Sequence, residues 1–203
     1  MPRYRTRSWR AFDPGAAAVR LVPAVSVRIL GLDPGSQRTG FGVIEGGGAQ
    51  SAQIAHGCIV PAGGTLSARL RAIFEGVHAL IDQYRPDEVA VERVFVNRNV
   101  DSALKLGQAR GAALCAVPNG VPVFEYAPRA IKLAIVGFGA AEKAQVAHMI
   151  RTLLHLEGRI ASDASDALAV AVCHAHSRRM HLLAQDHEAT GATAAALVRI
   201  RPR

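Results

Sequence analysis

Between Arg28 and Ile44 the chain reads RILGLDPGSQRTGFGVI: an apolar run ending in an acid, a turn written in Asp, Pro, Gly, Ser and Thr, and a return to strand-forming residues. This is the pattern of a β-hairpin with a carboxylate at its mouth. Side chains alternate faces along a strand, so Ile29, Gly31 and Asp33 share one side while Leu30 and Leu32 pack the other. Pro34 cannot donate a ladder hydrogen bond, and Gly35 tolerates backbone angles that other residues avoid. The strand therefore ends at Asp33, with Gly31 leaving space beside the acid. A turn Asp accepting backbone hydrogen bonds fits this stretch as well as a functional carboxylate does.

The remaining strands and helices give that hairpin a sheet to belong to. Thr39 to Glu45 resumes a β pattern, and Gln53 to Val60 makes a third strand, giving an antiparallel meander. Thr65 caps a helix in which Leu66, Leu70, Ile73, Phe74, Val77, Leu80, Ile81 and Tyr84 recur at helical spacing. Asp87 to Glu92 (DEVAVE) is a fourth strand, and Glu92 shares its face with Ala90, repeating the arrangement of a terminal acid preceded by a small residue. A helix around DSALKLGQARGAALCAV follows, then a fifth strand at Val121 to Tyr126 and a helix opened by Pro128. Another helix carries Val146, Met149, Ile150, Leu153 and Leu154 on one face. The last long helix is capped by Ser162 and bears Asp163 and Asp166 three residues apart, on one face. Acids in a first turn also stabilise a helix through its dipole, so capping alone accounts for that pair.

Charge is uneven along the 203 residues. The net +8 resides in the ends: six Arg against Asp13 in residues 1–28, and five Arg against Asp186 and Glu188 in 178–203. The segment between them is formally neutral, yet residues 93–151 hold eight Lys and Arg against three acids. A basic region beside an acidic cluster suits a metal-dependent enzyme acting on a polyanion. No apolar run approaches the roughly 20 residues needed to span a bilayer. Cys58, Cys115 and Cys173 are odd in number, far apart and set among apolar residues, which points to packing in a reduced, cytoplasmic compartment. The chain divides into a basic extension at 1–26 expected to be disordered, one α/β domain at 27–180, and a flexible basic tail at 181–203.

After the fourth strand comes RVFVNRN. Phe95 fits a core position, and it equally fits stacking on an unpaired base beside Arg93 and Arg98. Gly107 and Gly111 stand one turn apart on the next helix, which calls for close approach of another backbone, either the domain's own sheet or a second subunit.

Taken together, GLDPGSQRTGFGVI, VERVFVNRN, DSALKLGQARGAA, FEYAPRAIK, VGFGAAEKAQVAHMI and ASDASDALAVA, in this order, closely resemble the RuvC family of Holliday junction resolvases over about Arg28 to His176. The resemblance implies a ribonuclease H-like fold with a five-stranded mixed sheet flanked by helices. It implies that Asp33, Glu92, Asp163 and Asp166 form the catalytic, metal-binding set, that Phe95 enters the junction, and that Lys132 and Lys143 serve the DNA. Arg93 and Arg98 join them as DNA contacts on the reading of the residues alone. It further implies a homodimer, with the helix at Leu66 to Tyr84 and the glycine-bearing helix as interface candidates, and cooperation with a branch-migration helicase complex. Hard oxygen ligands select Mg2+, two ions per site, with Mn2+ as a substitute. His174 and His176 are expected to be solvated or structural. The rival readings are a ribonuclease H-like nuclease acting on RNA, a junction-binding module without cleavage, and an actin-like sugar or acetate kinase, for which the chain lacks a second phosphate-binding glycine motif.

Overall fold

The computed structural model describes residues 26–46, 51–93 and 100–189, with side chains described through 178. Strands β1 (Val27–Asp33), β2 (Thr39–Gly46), β3 (Ala52–Ile59), β4 (Glu88–Glu92) and β5 (Val123–Tyr126) form one sheet in the order β3-β2-β1-β4-β5. β1 pairs antiparallel with β2 and parallel with β4, and β5 continues parallel on β4. The sheet is mixed and five-stranded, as the sequence led us to expect.

Alternation along β1 and β4 divides the core into two layers. Leu30, Leu32, Val89 and Val91 face α1 (Leu66–Tyr84) and α2 (Val100–Cys115), where Ile73, Val77, Ile81, Ala109 and Ala113 meet them. Ile29, Ala90, Phe124 and Tyr126 face the other side, covered by α3 (Pro128–Val136), α4 (Lys143–Leu153) and α5 (Ser162–Ala189). The local signals act where the sequence places them. The Thr65 hydroxyl accepts from the Ala68 N–H at 3.3 Å, and Pro128 opens α3, which closes on Gly137 at φ 89°. α5 begins at Ser162 itself, and the Ala161 carbonyl accepts the Ser165 N–H at 3.0 Å, so the capping position falls one residue before the expected Ser162.

α5 lies flat across β1 and β2, and the glycines of those strands are the reason. A Cβ at Gly31 would overlap the Ala167 carbonyl, one at Gly40 the Asp163 carbonyl, and one at Gly42 would stand 2.7 Å from Leu168 Cδ2. Gly31 and Gly42 are paired across the two strands, and Gly40 is paired with Asp33. The space at Gly31 is therefore filled by the helix backbone instead of lying open beside the acid, and the close approach sets the first turn of α5 over the end of β1.

Gly107 and Gly111 behave differently. Among the described residues nothing lies within 4 Å of a Cβ built at either, so the domain's own sheet is not their close neighbour. Of the cysteines, Cys173 is buried as expected and Cys58 is half-buried, but Cys115 is exposed at the end of α2 and does not serve packing within the chain.

Candidate active site

Leu32 and Val91 are partners across the parallel β1–β4 pair, so the next residue on each strand, Asp33 and Glu92, ends its strand beside the other. α5 supplies Asp163 and Asp166 from its first turn and a half, held close by the glycine surface beneath. The structure thus brings all four acids to one edge of the sheet. Their mutual influence appears in Asp33, whose pKa is pushed from 3.8 to about 7 by burial and by the charges of Asp166, Glu92 and Asp163, with Lys143 opposing. Burial and the Asp166 charge likewise raise the Glu92 carboxyl, against Lys143 and Lys132. Like charges this close favour proton uptake or a bound cation.

Lys143, the first residue of α4, places its ammonium 2.5 Å from Asp166 Oδ2. Burial works against that charge, but the hydrogen bond and charge of Asp166, with Asp33 and Asp163 behind it, leave the Lys143 pKa raised. A cavity of about 250 Å³ beside this pair is lined by Glu92, Lys132, Lys143 and Asp166 over an apolar floor that includes Ile131 and Val146. Both lysines named from the sequence therefore stand at the carboxylates. That one of them pairs directly with Asp166 was not legible, because it depends on how α4 packs against α5.

Arg93 is exposed, and its Nε lies 3.5 Å from Glu125 Oε2. Phe95 and Arg98 lie outside the described residues. A residue that sequence reasoning missed stands behind Glu92: Arg110 of α2 donates from Nε to the Glu92 carbonyl at 3.3 Å and pairs through another guanidinium nitrogen with Glu125 at 2.8 Å. Its helical position, facing the end of β4 from the layer of α1 and α2, was the available signal. His174 is fully buried, between the Tyr126 hydroxyl and Glu88, each 2.7 Å away, and is structural.

Among the described residues, no three His, Cys, Asp or Glu side chains are gathered closely enough to hold an ion as they stand, and Lys143 covers one oxygen of Asp166. The donor chemistry nevertheless fits a hard divalent cation. The set is all carboxylate oxygen, and burial with mutual repulsion is strong enough to carry the Asp33 pKa to about 7.

A sheet of this order, with carboxylates ending its first and fourth strands and more on the helix that crosses them, defines a ribonuclease H-like nuclease. The family model described as crossover junction endodeoxyribonuclease RuvC matches residues 29–174. The chain belongs to the RuvC family. The crossover junction endodeoxyribonuclease RuvC of Methylococcus capsulatus is 54% identical over 153 residues, which make up 75% of this chain and 92% of that protein. The structure of RuvC from Thermus thermophilus shares 37% identity with a TM-score of 0.69, covering 76% of this chain and 96% of that one. The same Thermus protein in complex with a Holliday junction substrate matches with a TM-score of 0.72 at 35% identity, over the same shares.

Proposed function

We propose that this protein is a structure-selective endonuclease that resolves four-way Holliday junctions by paired, symmetric phosphodiester hydrolysis in homologous recombination and DNA repair. The observation that carries the reading is the convergence of Asp33, Glu92, Asp163 and Asp166 on one sheet edge, within a chain that matches the family over residues 29–174.

RuvC nucleases depend on divalent metal, and for this chain we assign Mg2+, two ions per site, with Mn2+ able to substitute. Asp33, Glu92, Asp163 and Asp166 are the ligands. Bound there, the ions would activate water on one side of the phosphodiester and stabilise the leaving 3′ oxygen on the other, giving 5′-phosphate ends. The protein's own contribution is positional. β1 and β4 hold two carboxylates side by side, and α5 presents the other two against the glycine surface. Lys143 pairs with the Asp166 carboxylate and orients it beside the other acids. Lys132 and Lys143 hold the approaching backbone, while Phe95, Arg93 and Arg98, just beyond β4, contact the junction.

Two symmetric cuts require two sites, so the working unit is a homodimer, and α2 is its interface. Val100, Leu104, Gly107 and Gly111 follow helical spacing, the first two being 67% and 61% exposed and the glycines having no described residue within 4 Å. The nuclease domain occupies 27–180 between basic segments, it works with a branch-migration helicase complex, and its location is the cytoplasm. Among the described residues no helix is long and apolar enough to cross a membrane.

The test is cleavage of a synthetic four-way junction with Mg2+, beside linear duplex, an RNA–DNA hybrid and the Asp33→Asn protein. Paired nicks on the junction alone, lost in the variant, support the reading. Binding without cleavage by either protein overturns it in favour of a binding module, and preferential cutting of the hybrid moves the protein to the RNA nucleases.

A further inference from the structure

A second cavity, of about 380 Å³, lies between α4 and the start of α5. It is lined by Lys143 and Arg151 of α4, Arg159 of the loop that follows, and Ser162, Ser165 and Asp166 of α5. Lys143 and Arg151 are eight residues apart, two turns along one face of the helix. The charges in this cavity are not balanced. Asp166 is the acid in its wall and is already neutralised by Lys143, whereas Arg151 and Arg159 are exposed and pair with no carboxylate among the described residues. Ser165 lines the same wall, and its hydroxyl, which makes no hydrogen bond to another described residue, is free to donate into the cavity. The first-turn N–H groups of α5 add partial positive charge to the same wall.

Two free guanidinium groups, an unpartnered hydroxyl and a helix N-terminus around one cavity call for a tetrahedral oxyanion, which arginine contacts with two parallel N–H donors. The cavity shares Lys143 and Asp166 with the one beside the carboxylates, so an anion held here sits one step along the surface from the site of hydrolysis. We propose that this cavity is a subsite for a backbone phosphate of the junction, held by Arg151, Arg159 and the Ser165 hydroxyl, which fixes the strand on one side of the scissile bond. The proposal rests on the nuclease reading above and adds to it a place where the substrate is held apart from the reacting phosphate.

The experiment is the salt dependence of binding to a four-way junction in the absence of divalent metal, run beside Mg2+-dependent cleavage by the unaltered protein. Arg151→Gln with Arg159→Gln, both at exposed positions, is expected to lower the slope of log affinity against log salt by about 0.9, the value for one phosphate left unneutralised. Ser165→Ala is expected to weaken binding about fivefold with the slope unchanged, as for one neutral hydrogen bond removed. Arg85→Gln, at the far end of α1, is the control and leaves the slope as it is. If the unaltered protein nicks the junction while the double variant keeps its full slope and affinity, the subsite is wrong and the nuclease reading stands. If the unaltered protein neither binds nor nicks the junction, both fall together.

Discussion

Asp33 is the residue on which the site's electrostatics converge, and its raised pKa has a consequence for stability. In the unfolded chain it titrates near 3.8, and in the folded chain near 7. Between these values the folded state holds the proton more tightly, so stability falls as pH rises from about 4 to 7 and stays low above. Asp33→Asn removes the repulsion. In EDTA the variant is expected to melt several degrees above the unaltered protein at pH 8, and the gain should shrink steadily as the pH is lowered toward 4. A gain independent of pH, read from melting curves, would mean that packing and not charge separates the two proteins. The same repulsion was partly legible in the sequence, where two strands each end in an acid preceded by a small residue. Asp163 and Asp166 were named on the family resemblance alone, since by local pattern first-turn acids serve the helix dipole equally well until the helix is known to cross the ends of β1 and β4. The pairing of Lys143 with Asp166 was illegible for a related reason: it joins two helices whose packing no local pattern encodes.

At the scale of elements, glycines that look alike in sequence do opposite work. Gly40 lies under the backbone of Asp163, and a Cβ there would overlap that carbonyl. Gly40→Ala is expected to lift the first turn of α5, costing about 1 to 3 kcal/mol of stability as overpacking does. It should cut junction cleavage far more than junction binding, because it moves two of the four carboxylates. Gly107 has no described residue within 4 Å of a Cβ built there, so Gly107→Leu strains nothing among the described residues. If α2 is the dimer interface, that substitution should not lower the melting temperature of dilute protein, since Leu favours a helix interior over Gly by about 0.8 kcal/mol, while shifting sedimentation at micromolar concentration toward the monomer. Unaltered sedimentation would remove α2 from the interface. Helical periodicity reveals both the buried and the open faces of α2, but it does not say whether an open glycine awaits the chain's own sheet or another molecule. The tertiary packing settles the first half of that question, and the second is an association between chains.

Across the whole molecule, β4 and α5 are joined at both ends with opposite electrostatic sign. At the end beside the carboxylate cluster, burial and the Asp166 charge raise the Glu92 carboxyl. At the other end Glu88 accepts from Arg178 Nε at 3.0 Å and meets His174 Nε2 at 2.7 Å, while His174 reaches on to the Tyr126 hydroxyl of β5. Burial opposes the Glu88 charge, but His174 and Arg178 outweigh it and hold the carboxyl below its usual 4.5. This clamp keeps the long helix seated on the sheet while the acids at its start push apart, and it allows the site to remain repulsive without unfolding the domain. A lowered folded pKa contributes stability that is present above pH 4.5 and lost as the pH falls through the folded value, the reverse of Asp33. Glu88→Gln, which keeps the shape and removes the charge beside a buried His174 and a part-buried Arg178, is expected to cost about 3 kcal/mol near neutral pH, the lower end of the range for breaking a buried pair. The difference from the unaltered protein should begin to narrow below pH 4.5, where the unfolded chain's carboxyl takes up a proton that the folded one still resists. Denaturant melts at about pH 4 and about pH 7 on both proteins measure it. A deficit of the same size at both pH values would show that Glu88 acts through shape alone, and the two ends of β4 would then not be in electrostatic opposition.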